Sequence, residues 1–219
     1  MKTMKFLAVL ALLSFSMNTM AQNAMQAKLK ETKAALKEKA SKDAKDEAKR
    51  MKKEGWTVSP GALPLEKQID RYYAYIEQTD DELNPLYYTG EGRATAENYA
   101  AAHMQATELA RLNLASSIGT EATGIIDNMI ANKMLADDQA ASITTYISEN
   151  KTIFSQKLGR VQTPLVATRQ LKNKNKEVMI RMVAKVSSVH EIAKEAVRNE
   201  LEKQGKELSE ELKAYFGKD

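Results

Sequence analysis

The sequence predicts an α+β fold, and three observations carry that reading. Residues 96–133 repeat apolar side chains at spacings of three and four, the period of a helix. Residues 177–187 alternate instead: Val178, Ile180, Met182, Ala184 and Val186 stand against Met179, Arg181, Val183 and Lys185, the period of a strand. Ahead of that strand, Lys172-Asn173-Lys174-Asn175-Lys176 has the polarity and asparagine content of a hairpin loop, which makes 155–171 a second strand.

The chain opens with Lys2 and Lys5 before an apolar run from Phe6 to Phe15, and the small residues Thr19 and Ala21 follow. This is the pattern of a signal peptide over 1–21, cut between Ala21 and Gln22. The apolar run is shorter than the roughly 20 residues that span a bilayer. The expected location is exported: periplasmic, outer-membrane associated or extracellular. No cysteine follows the run, so a thioether lipid anchor has no attachment point there, and no transmembrane segment is expected in the mature chain.

Residues 22–54 read as a charged helical arm. The stretch 24–54 has no proline or glycine and is rich in alanine, lysine and glutamate, all strong helix formers. Its apolar stripe, Met25, Leu29, Leu36, Ala40, Ala44, Ala48 and Met51, is thin. Residues 28–54 hold 11 basic and 6 acidic side chains, whereas 55–219 hold 20 and 23. The arm is cationic on an anionic body. Lys37, Lys45, Lys49, Lys52 and Lys53 are its candidate contacts for a polyanion or anionic surface, with the acids pairing locally to lysines three or four residues away.

Residues 55–219 read as a single α+β domain. Trp56, the only tryptophan, sits between Gly55 and the Pro60-Gly61 turn, where it either lines a ligand site or plugs the edge of a core. Residues 64–78 are helical, with Pro64 near the first turn and Leu65, Ile69, Tyr72, Tyr73 and Ile76 on one face. A turn at 79–85 leads to a strand at 86–94. Its Gly90-Glu91-Gly92 lacks the third glycine or the Gly-Lys ending of a nucleotide loop, and instead suits a helix crossing close over a strand. Trp56, Tyr72, Tyr73, Tyr87 and Tyr88 together form the candidate lining of a small-ligand pocket or interface.

The long helix at 96–133 carries Gly119 and Gly124, expected to bend or split it, and it should turn Leu109, Leu114, Ile118 and Ile125 to the sheet. Asp137 or Asp138 caps a second helix ending near Asn150, with Ala141, Ile143, Tyr146 and Ile147 on its buried side. Pro164 places the 155–171 strand at an edge or bulge. A last helix, about 188–215, is interrupted at Gly205.

The chemistry available is narrow. With no cysteine and only His103 and His190, disulfides, thiolate zinc sites, iron–sulfur clusters and a three-histidine metal site within one chain are excluded. Asp137 and Asp138 are adjacent and do not face each other as a paired acid and base would. No serine-hydrolase elbow or His-Glu-x-x-His occurs. The expectation is a protein that is not an enzyme, with no metal and no cofactor.

Several segments resemble secreted proteins of the Bacteroides group: Lys53 through Glu66, Gly90-Glu91-Gly92, Met104 through Arg111, Leu112-Asn113-Leu114-Ala115 and Asn173 through Val178. Over roughly 53–210 they are similar to the envelope lipoprotein family typified by the twenty-kilodalton lipoprotein of Helicobacter. That resemblance implies a small α+β domain in which a few antiparallel strands pack against long helices. It brings no catalytic residues. The functional expectation is a non-catalytic envelope-associated protein, structural or binding. Its partner would be another envelope protein or a second copy, or weakly an anionic surface, and not a specific nucleic acid.

Overall fold

The computed structural model describes residues 41–159, 161–203 and 210–217. The signal-like segment, Lys37 and the first part of the arm lie outside these residues. Helix α1 covers 41–53. It is followed by α2 (Leu65–Ile76), β1 (Tyr87–Ala96), α3 (Tyr99–Ala131), α4 (Asp137–Glu149) and α5 (Lys151–Lys157). The chain continues through β2 (Gln162–Gln170), β3 (Lys176–Lys185), α6 (Val186–Lys203) and α7 (Glu210–Phe216). The fold is α+β, with one antiparallel sheet in the order β1-β3-β2.

The sheet is covered on both faces, and strand alternation decides what each face meets. Val178, Ile180 and Met182 of β3 point to α3, α4, α5 and α6, building a core around Leu114, Ile118, Met129, Ile143, Phe154, Val197 and Leu201. Met179 of β3 and Leu165 and Ala167 of β2 point the other way, to Ala44, Ala48 and Met51 of α1, Trp56, and Leu65 and Ile69 of α2.

Gly90 and Gly92 set the distance between sheet and helix. A Cβ on Gly90 would fall 2.8 Å from Leu114 Cβ, and one on Gly92 would fall 2.5 Å from the Ala110 backbone nitrogen. The strand backbone thus lies directly against α3, as the glycine spacing predicts. Ala102, Ala106 and Ala110, all fully buried, form the matching row on the helix. Asn98 starts α3 by accepting the Ala101 N–H at 2.9 Å.

Several expectations are corrected. Leu109 is not on the sheet-facing side but 43% exposed, because Ala102, Ala106, Ala110 and Leu114 take the side of α3 that meets Gly90 and Gly92. Gly119 and Gly124 do not split the run into two helices, since α3 is continuous. A glycine costs a helix about 1 kcal/mol, and the neighbouring Ala115, Ile118, Ala122, Ile125 and Ile126 are all buried. In α4 the buried row is Ala140, Ile143 and Ile147, and Ala141 is exposed. Its N-cap is Ala136, whose N–H donates to Gln139 Oε1 at 3.0 Å, and Asp137 and Asp138 occupy the first turn, where the helix dipole favours them.

The strand expected from Ser155 begins only at Gln162. Residues 155–157 belong to α5, which buries Phe154 and Leu158 one turn apart, while Arg111 donates to the carbonyls of Ser155 (3.2 Å) and Gly159 (3.1 Å). β3 ends at Lys185 and α6 starts at Val186, two residues before the expected start. The boundary expected between arm and domain at 54/55 falls inside one core, because Ala44, Ala48 and Met51 pack with Trp56.

Candidate functional site

Helix α1 buries a row of Ala44, Ala48 and Met51. At 100° per residue, Lys45, Lys49 and Lys52 fall on one flank of that row and Asp43 and Glu47 on the other, with Arg50 beside these acids and Lys42, Asp46 and Lys53 near the far side. Of these acids, Glu47 is turned into the fold. Glu47 meets the Arg181 guanidinium at 2.8 Å and accepts the Tyr73 hydroxyl at 2.9 Å. Glu54 accepts the Trp56 indole N–H at 3.3 Å and lies 3.7 Å from Arg169. The local acid–lysine pairing expected of the arm is therefore replaced, at these two acids, by long-range contacts.

The lysine flank borders a groove of about 380 Å³ lined by Lys45, Ala48, Lys49, Lys52, Lys53 and Glu66. One carboxylate sits among four ammonium groups. Lys52 reaches Glu66 at 2.7 Å, and that hydrogen bond holds the Glu66 carboxyl below its ordinary range, with Lys67 and Lys45 adding to the effect. Every described member of the expected polyanion set, Lys45, Lys49, Lys52 and Lys53, lines this groove, and the sequence reading missed Glu66. Its signal was faint, since Glu66 belongs to another helix. What the groove offers chemically is a cluster of exposed point charges suited to phosphate or carboxylate oxygens.

The aromatic set is not brought together. Trp56 is 1% exposed, with the Arg169 guanidinium 4.5 Å above its ring, so it plugs the core. Tyr72 lies under Arg181 at 4.9 Å, and its ring stands 6.0 Å from that of Tyr73. Tyr87 packs edge-on against Tyr75 at 5.0 Å. Tyr88 is on the opposite face of the sheet, donating to Glu121 of α3, whose other oxygen lies 2.8 Å from His190 Nδ1 of α6.

Arg181 organises the α1–α2 face. It contacts Glu47 and Glu91, each at 2.8 Å. Burial opposes its charge, but the hydrogen bonds it donates to both carboxylates, with their negative charge, outweigh burial and raise its pKa. Burial likewise opposes ionisation of Glu91, and Arg181 with Arg93 overcomes it, lowering that pKa. An arginine within an otherwise apolar central strand was the sequence signal for this network.

Among the described residues no group of three or more His, Asp or Glu is placed to hold a metal ion, and no helix is long and apolar enough to cross a membrane. Compared with known proteins, the chain matches no family model, no curated protein and no solved structure.

Proposed function

We propose that this chain is a non-catalytic, exported protein of the bacterial envelope that associates reversibly with an anionic surface through the lysine flank of α1. The observation that carries this reading is the groove in which Lys45, Lys49, Lys52 and Lys53 face a single carboxylate, while Glu47 is engaged with Arg181 inside the fold and Glu54 with Trp56 and Arg169 at its surface. The signal-like residues 1–21 and the resemblance to secreted envelope proteins support the location. A lysine held near an anionic membrane contributes about 1 kcal/mol, so four give weak, reversible binding. Screening over about 8 Å at physiological ionic strength makes it salt-sensitive.

The test is co-sedimentation of the exported protein with vesicles of anionic or of neutral phospholipid, at low and high salt. Binding is expected only to the anionic vesicles, to fall with salt, and to be lost when Lys45, Lys49, Lys52 and Lys53 are changed to glutamine. Equal binding by the glutamine variant would remove the groove from the account.

A further inference from the structure

The two edges of the sheet are finished differently. On β2, Thr168 exchanges both backbone hydrogen bonds with Thr57 at 2.8 Å each, and the Val166 N–H donates to Gln68 Oε1 at 2.8 Å. Pro164 has no N–H to offer. That edge is closed.

On β1, the Leu86 carbonyl accepts the Val186 N–H at 2.9 Å, so even-numbered residues turn their backbone groups toward β3. The odd-numbered ones, Tyr87, Thr89, Glu91, Arg93 and Thr95, turn theirs outward. Among the described residues this outer row meets one side chain, Asn113, whose amide donates to the Glu91 carbonyl at 2.6 Å. β1 also lacks the proline and lysine that commonly block an edge.

We propose that a second copy of this chain occupies that edge, β1 pairing antiparallel with β1 about a two-fold axis at Gly92 and joining two three-stranded sheets into one of six. The argument is self-complementarity. Around Gly92 in residues 89–95, Thr-Gly-Glu-Gly-Arg-Ala-Thr, the symmetric positions are threonine with threonine, small with small, and acid with base. The register sets Glu91 opposite the partner's Arg93 twice and Thr89 opposite the partner's Thr95 twice, all at positions whose backbone groups face outward. Within one copy Glu91 meets both Arg181 and Arg93 at 2.8 Å, so its carboxylate is already fixed, and pairing would have Arg93 exchange the Glu91 of its own chain for the partner's. On the other face, Gly92 lies against Ala106 and Ala110 of α3. Leu109 stands between these two, on the flank that carries Asn113 one turn later, and it is 43% exposed. At the two-fold axis it meets the partner's Leu109. An isologous contact needs this kind of patch, one that complements itself.

Sedimentation velocity on the exported protein is expected to show a dimer. Arg93→Glu sets like charges opposite each other at both symmetric positions and should weaken the dimer roughly tenfold or more, with an unchanged far-ultraviolet dichroism spectrum. The chain has no cysteine, so Leu109→Cys supplies a single thiol, which should form a covalent dimer under mild oxidation. Met104→Cys, at a 68% exposed position on a different flank of α3, should not. A monomer at tens of micromolar overturns the proposal. So does a dimer that survives Arg93→Glu and leaves the Leu109→Cys chains unlinked.

Discussion

Two tyrosines retain their protons where an unfolded chain would lose them. Burial, then donation to Glu47, pushes Tyr73 up to about 12, and burial with donation to Glu121 does the same for Tyr88. An unperturbed tyrosine titrates near pH 10, so between about 10 and 12 the folded state binds more protons than the unfolded one. Their stabilisation is fully present below pH 10 and is lost as pH rises through that window. Denaturant midpoints at pH 9 and pH 11 should differ more for the parent protein than for Tyr73→Phe; equal differences would mean that Tyr73 is not held in the fold. Leu114 lies at the opposite extreme of residue chemistry, fully buried and apolar. Leu114→Ala is expected to cost about 2–5 kcal/mol, read from the same midpoints. A loss under about 0.5 kcal/mol would mean that α3 turns another face to the sheet.

The edge of β2 shows how one side chain can finish a strand. Gln68 is 7% exposed; it accepts the Val166 N–H and donates to the Leu63 carbonyl at 2.8 Å. Gln68→Leu keeps the volume and leaves both backbone groups unsatisfied, which should cost about 1–3 kcal/mol. A midpoint matching the parent's would show that water replaces the amide. Such contacts also mark what could be read from the sequence. The alternation of 176–185, the periodicity of α3 and the close helix crossing at Gly90 and Gly92 are local patterns and were legible. Helix α5 was not: its last residues from Ser155 on read as the start of a strand, and what holds this stretch, Arg111 on the carbonyls of Ser155 and Gly159, lies more than 40 residues upstream. The lysine flank was legible because it lies within one helix. The fate of its acids was not, because Glu47 finds Arg181 far along the chain.

For the molecule as a whole, α1 is a structural layer: it covers the sheet face opposite α3. A chain beginning at Gly55 loses Ala44, Ala48 and Met51 from the core around Trp56. Its single tryptophan should emit at longer wavelength, and its melting temperature should drop. Unchanged emission and melting would show that α1 does not pack there in solution. Helix α3 carries a different whole-molecule consequence. Its 33 residues extend about 50 Å at 1.5 Å per residue, while the ten residues of β1 extend about 34 Å. The Tyr99 half is sealed by the glycine-bearing strand. The half around Ile126 and Met129 runs on, flanked by α4, where Gly119, Ile126, Thr144 and Ile147 line a shared groove of about 320 Å³. In heavy water, one hydrogen-bonded rod should therefore exchange its amide protons at two rates. Amides beside the sheet should wait for global unfolding, whereas those beyond it are released whenever α4 lifts away.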